Sequence, residues 1–370
     1  MFVVGISTLG AEIAAARLIA PFFGASTIVW ANTIGVILAA LSLGYWLGGK
    51  IADRRPDLRT LCLMVLAAAV MLAVIPFIAR PLFDVSVSAL DEIEAGAFVG
   101  SLFGVLVLVA LPVLLLGAAS PFALRLAVDD VEHSGQVAGR LYALSTAGSL
   151  VGTWISALVL IPLIGTQRTF IGMALALAVV AAPTLPRRFA LAPVAIAALL
   201  AIPPGTTKDA EAGVVLEERE TTNQYARVVE RPDGTRQLEL NEGQAVHSIM
   251  RPGTVLTGGV WDGSLALPMS VLGRAPRSIA ILGNGAGTTA RAYGALFPGT
   301  EIDGVEIDGE LHDMGRRWFG LRDRPNLRLH TDDARPFLRR AERRWEAIFV
   351  DAYRQPYIPF YLTTIEFFRL

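Results

Sequence analysis

The pattern of apolar and polar positions changes character near residue 204. Before it, apolar runs close to the ~20 residues that cross a bilayer recur at about 1–20, 28–49, 60–83, 97–119, 140–164 and 168–183. A seventh run, 189–203, has only 15 residues, so it either crosses or lies in the interface. After Pro203-Pro204-Gly205-Thr206-Thr207, short apolar stretches take over. Tyr225–Glu230 and Thr235–Leu240, joined by the turn signal Pro232-Asp233-Gly234, predict a β-hairpin. Ser278–Leu282, Glu301–Val305, Leu327–His330 and Ala347–Val350 predict four strands, with helices over about 288–297, 309–318 and 335–343 between them. Such alternation implies a parallel sheet with right-handed crossovers, whose ligands bind beyond the strand C-termini. The chain is thus expected to divide into a polytopic helical membrane domain (1–204), a β-hairpin region (205–245) and an α/β domain (246–370).

Charge sharpens this division. Residues 1–204 carry 21 charged side chains and residues 205–370 carry 44, so only the second part has the share usual for a soluble domain. A mean hydropathy of +0.52 excludes a wholly soluble enzyme and a disordered chain. Net charge is −1, with no basic tract, which gives nucleic acid no electrostatic footprint. The single cysteine, Cys62, and four scattered histidines predict no metal site. Lys50, Arg54, Arg55 and Arg59 after the second span, and Arg187 and Arg188 after the sixth, mark cytoplasmic loops. The acidic loop 84–96 suits the outside. Glu12 and Arg17, ionisable at membrane depth, form a candidate functional polar pair. Ser145, Gly148, Ser149 and Gly152 line one helix face for close packing.

Candidate chemistry collects at the four predicted strand ends. Gly283, Gly285 and Gly287 make a G-x-G-x-G turn that admits a ligand against the backbone. Glu306 follows Gly287 by 19 positions, where a carboxylate accepts from a ribose diol. Asp333 could accept from an adenine amino group, and Asp351 closes the fourth strand. No phosphate-binding G-x-x-x-x-G-K-[ST] occurs, which favours an uncharged or cationic nucleoside.

These segments resemble a known family. Ile281-Leu282-Gly283-Asn284-Gly285-Ala286-Gly287, Val305-Glu306-Ile307-Asp308, Asp333-Ala334-Arg335-Pro336-Phe337-Leu338, Ala347–Tyr353 and Leu362–Phe368 are similar to spermidine/spermine synthases. The first half resembles that of bacterial fused membrane spermidine synthase-like proteins, through Glu12, Arg17, Pro21, Gly24 and the Gly44–Arg54 run. That run also resembles the loop between the second and third spans of major-facilitator transporters. The resemblance implies a Rossmann-like methyltransferase fold, here cut off after its fourth strand, at the end of a membrane domain of six or seven spans. It implies decarboxylated S-adenosylmethionine, or S-adenosylmethionine, as co-substrate, bound by Gly283, Gly285, Gly287, Glu306, Asp308, Asp333 and Ala334. Asp351 is the implied catalytic acid, with Tyr225, Asp262 and Tyr353 as acceptor-site candidates. Implied partners are a small amine or other small acceptor and the lipid bilayer, with a homo-oligomer open and the soluble domain in the cytoplasm, where the co-substrate is made.

The departures bear on the acceptor. The family's acidic residue in the glycine turn is Ala286 here, and the second acid of its Asp-x-x-Asp pair is Arg354. Weak turnover of putrescine is therefore expected, with carboxylates at 286 and 354 expected to raise it. The alternatives are a transferase acting on a non-polyamine acceptor, or a non-catalytic, transporter-like protein with a nucleoside-sensing domain.

Overall fold

The computed structural model describes all residues except Ala25, 91–95, Asp129, Val131, Glu242, Gln244 and 354–357. It separates into two compact units, Met1–Lys208 and Asp209–Leu370. Asp91, Glu92 and Glu94 of the expected outer loop fall outside the described residues.

The first unit is helical: α1 (Phe2–Phe23), α2 (Thr27–Arg54), α3 (Leu58–Leu90), α4 (Gly96–Leu108), α5 (Ala110–Ala127), α6 (Ser134–Ile155), α7 (Ile161–Ala181) and α8 (Ala192–Ala198). Helices suit apolar sequence in lipid because they satisfy their own backbone polar groups. Five helical stretches among the described residues are long and apolar enough to cross a membrane: 2–23, 27–54, 58–87, 110–127 and 134–184. The last joins α6 to α7 through a π-helical turn at Ser156–Leu160 and bends at Gly165 (φ 81°). Gly10 of α1 lies against both Ser156 and Met173, on either side of Gly165, so the stretch folds back there.

Three sequence expectations change here. The run 97–119 is not one helix, since Val109 breaks it between α4 and α5. The run 189–203 holds only the seven-residue α8, flanked by single 3₁₀ turns, and a helix of that length rises about 10 Å. The Gly44–Arg54 run is no loop but the end of α2. Its Asp53 pairs with Arg125 near the end of α5 at 3.6 Å. The small-residue face works as the spacing suggests. A Cβ on Gly148 or Gly152 would lie 2.1 or 2.2 Å from a carbonyl oxygen of α1, so only glycine permits that approach. Glu12 and Arg17 both lie on α1, but five positions turn a helix by about 140° and set them on different faces.

The second unit holds two sheets. β1 (Val214–Glu220), β2 (Tyr225–Glu230), β3 (Arg236–Leu240) and β4 (Val246–Met250) form an antiparallel meander in that order. The expected hairpin is its middle pair, and β4 carries the sheet past the expected boundary at 245. Next come α9 (Val260–Leu272), β5 (Ser278–Leu282), α10 (Thr288–Leu296), β6 (Glu301–Glu306) and α11 (Gly309–Trp318). The chain continues through β7 (Leu327–Thr331), α12 (Ala334–Arg340), β8 (Ala347–Val350) and the short α13 (Ile365–Phe368). β5 to β8 form a parallel sheet in the order β7-β6-β5-β8. β5 is central and buried from Ile279 to Leu282, which explains its unbroken apolar run. The chain leaves β5 toward β6 and β7, then returns to the other side of β5 as β8. That reversal opens a crevice at the C-terminal ends of β5 and β8.

Candidate functional site

The crevice is a cavity of about 300 Å³, at the small end for a ligand pocket. Gly283 and Gly285 floor it after β5, Glu306 after β6, Asp332, Asp333 and Ala334 after β7, and Asp351, Ala352 and Tyr353 after β8. Asn223, Gln224, Leu240 and His247 reach it from the antiparallel sheet and its loops, and Pro359, Tyr361 and Leu362 from the C-terminal segment.

The glycine turn needs its glycines. Gly283 has φ +91°, and a Cβ there would lie 2.4 Å from the carbonyl oxygen of Asp351. Gly285 donates its N–H to Glu306 Oε2 at 2.8 Å, and Ala286 donates to Ser248 Oγ at 2.9 Å. This second bond, with Ile249 N–H donating to Thr288 Oγ1 at 2.8 Å, fastens β4 to the turn and so places His247. Gly287 (φ +86°) starts α10 and is not among the lining residues.

Glu306 is 7% exposed. Its other oxygen, Oε1, accepts from Asp308 N–H at 3.2 Å, so each oxygen holds one backbone amide and keeps a further acceptor site. Burial pushes its carboxyl upward, against the amides of Gly285 and Asp308 that favour the charged form. Asp333 caps α12 through Arg335 N–H at 2.9 Å and accepts from Tyr361 Oη at 2.9 Å. Asp332 is ion-paired with Arg340. Asp351 accepts from Trp261 Nε1 of α9 at 3.2 Å. Desolvation raises the Asp351 carboxyl, with the Trp261 bond acting the other way. Tyr353 stacks on His247, ring centroids 4.8 Å apart and 24° between planes. Burial drops the His247 imidazole to about 4, so it is neutral at physiological pH.

Several residues singled out in the sequence are engaged elsewhere. Asp308 caps α11 and accepts from Thr221 Oγ1 at 2.6 Å. It is not in the cavity lining. Tyr225 is buried and donates to Glu218 at 2.7 Å, also away from the lining. Asp262 accepts from the N–H and hydroxyl of Thr257 and from Gly258 N–H, ordering the start of α9. Ala286 is fully buried with Ala226, Val228, Leu238, Leu311, Met314 and Phe319, so a carboxylate there would enter an apolar cluster rather than the cavity. Arg354 lies outside the described residues. His247, Tyr361 and Asp332 carried no periodic or motif signal as site residues, and Trp261 only that of its neighbour Asp262. Of the first three, only Asp332 could have been found, by its adjacency to Asp333.

No family model matches this chain. A probable polyamine aminopropyl transferase of Bifidobacterium longum is 34% identical over 154 residues, 41% of this chain and 33% of that protein. A polyamine aminopropyltransferase of Vibrio vulnificus is 37% identical over 95 residues, 25% of this chain and 32% of that protein. The chain thus spans about a third of the length of these curated relatives. A solved probable spermidine synthase from Corynebacterium glutamicum aligns at 22% identity and a TM-score of 0.35, over 43% of this chain and 58% of that one, a likeness too slight to weigh. Over the part that they cover, the two relationships make this chain similar to polyamine aminopropyltransferases, at modest identity.

Proposed function

We propose that this chain is a membrane-anchored, spermidine synthase-like aminopropyltransferase that binds decarboxylated S-adenosylmethionine, or a close relative, and a small amine. The observation that carries the reading is the charge of the cavity. Glu306, Asp332, Asp333 and Asp351 line it, with no Lys or Arg among its described lining residues. Such a surface favours cationic ligands and repels phosphate. A sulfonium nucleoside and an ammonium fit that chemistry.

In this transfer the amine nitrogen attacks the carbon bonded to sulfur. An N–C bond forms, the C–S bond breaks with its electron pair moving to sulfur, and neutral methylthioadenosine leaves. Glu306 has acceptor sites left for a ribose diol, held in place by the two amides that fix its rotamer. Asp333, its carboxylate oriented by Tyr361 and the α12 cap, is the acceptor for an exocyclic amine. Asp351 takes the proton that the amine must lose, and its raised pKa brings it nearer to the working pH of a general base. Orientation of both reactants in a small cavity supplies much of the remaining acceleration.

The long apolar helices of the first unit support insertion in a membrane, with the second unit in the cytoplasm on the side of the Lys/Arg-rich loop after α2. The test is calorimetric titration of the purified chain with methylthioadenosine. Binding in the micromolar range supports the reading, and no binding removes it.

A further inference from the structure

The described lining of the cavity is uneven, and the unevenness concerns the acceptor. Three of the four carboxylates are already committed. Glu306 holds two backbone amides, Asp333 caps α12 and accepts from Tyr361, and Asp332 pairs with Arg340. At the β8 end one carboxylate remains, Asp351. Trp261 donates to its Oδ2 at 3.2 Å and leaves Oδ1 open to a ligand.

Among the described residues, the side chains next to Asp351 in the chain and stacked beside it are uncharged. Tyr353 and His247 stack there, and Leu240, Ala352, Pro359 and Leu362 are among the uncharged residues of the cavity's described lining. Burial keeps the imidazole neutral down to about 4, and desolvation together with Asp351 keeps the Tyr353 phenol protonated. Two positions that the sequence offered for further acceptor carboxylates supply none. Asp262 is bound to the backbone ahead of α9, and position 286 is buried in an apolar cluster.

From this arrangement we infer that the acceptor is an amine with one charged nitrogen on an apolar or aromatic body, rather than a diamine. The inference deepens the aminopropyl-transfer reading of the same cavity and rests on it. The charged nitrogen meets Asp351, and the body lies along the His247–Tyr353 stack. A second ammonium placed against those rings would lose hydration without gaining a partner, and the stack covers one face of each ring against cation–π contact. An alkyl or aryl body gains from the same burial.

The experiment is a calorimetric comparison of butylamine, benzylamine and putrescine binding to the full chain in nanodiscs. It is run with and without saturating methylthioadenosine. The expected result is that both monoamines bind at least as tightly as putrescine. His247→Glu, which sets a carboxylate against the second ammonium, is expected to shift the putrescine-to-butylamine preference toward putrescine by about tenfold, one ion pair's worth of affinity. Should that variant not fold, Tyr353→Glu places the charge on the other ring with the same expected shift. Putrescine binding tenfold more tightly than butylamine to the native chain overturns the inference. So does a native chain that binds methylthioadenosine but no amine. If methylthioadenosine fails to bind while monoamines are still preferred, the transfer reading falls and with it the role of the amine as acceptor, leaving a monoamine-binding cavity.

Discussion

Glu306→Gln separates the two roles that the structure gives this side chain. The native carboxylate accepts Gly285 N–H at 2.8 Å and Asp308 N–H at 3.2 Å, and its remaining acceptor sites face the cavity. The substituted amide keeps the shape but has one oxygen. One backbone N–H then faces an NH₂ group, and an unsatisfied buried donor costs about 1–3 kcal/mol of stability. A charge-assisted hydrogen bond to a bound nucleoside is also lost, at about 1.5–3 kcal/mol, which is roughly 10- to 150-fold in Kd. The stability effect has a pH sign. Burial raises the native carboxyl above its ordinary 4.5, so the group's contribution is fully present below that value and declines as pH rises through the elevated one. The native advantage in thermal unfolding should therefore be larger in acid than at neutral pH. Calorimetry with methylthioadenosine at pH 7.5 gives the affinity. A folded variant that binds methylthioadenosine as tightly as the native chain would refute the ribose assignment.

Three further outcomes are expected. Asp351→Asn should lower aminopropyl transfer by about 10²- to 10⁴-fold, the usual range for a general base, and leave methylthioadenosine affinity within about threefold. Native activity should fall on the acid side as the raised Asp351 carboxyl takes up its proton, so a flat acid limb would argue against its role. Ala286→Asp should not restore activity toward diamines. It should cost about 3–5 kcal/mol in chemical denaturation, because it buries an unpaired charge among Val228, Leu311 and Met314. A reporter fused after Thr207 should be active in the cytoplasm, and activity only outside the cell would contradict the topology.

The α/β sheet was legible because short, mainly apolar strands alternate with helices and stop at glycine or acidic residues. β5 and β8 begin and end where the apolar runs do, and β6 and β7 run one residue further. Helix α9 was not legible, since Gly263 and Pro268 interrupt it and several of its apolar side chains, Val260, Leu267 and Val271 among them, face outward. The glycine turn and Glu306 could be read from spacing, because a strand end fixes where its next residues go. The acceptor side could not. Tyr225 and Asp262, like Asp308 expected at the nucleoside, matched chemical expectations, but nearby backbone groups or other side chains already use them, and no sequence pattern reveals that. His247 reaches the cavity only because Ser248 and Thr288 tie β4 to the turn, a contact between distant segments. In the first unit, apolar length was readable and the break at Gly165 falls between the expected spans 140–164 and 168–183, whereas the break at Val109 lies within uniformly apolar sequence.

Aminopropyl transfer in the carboxylate-lined cavity can be measured directly. Its most direct measurement is methylthioadenosine formation when the purified full chain is mixed with decarboxylated S-adenosylmethionine and an amine, quantified by chromatography beside Asp351→Asn. Amine-dependent release by the native chain is expected, with butylamine or benzylamine at least as effective as putrescine, and loss of that release in Asp351→Asn. Tight methylthioadenosine binding with no amine-dependent release, for monoamines and diamines alike, would contradict aminopropyl transfer and leave a nucleoside-binding protein without transfer activity.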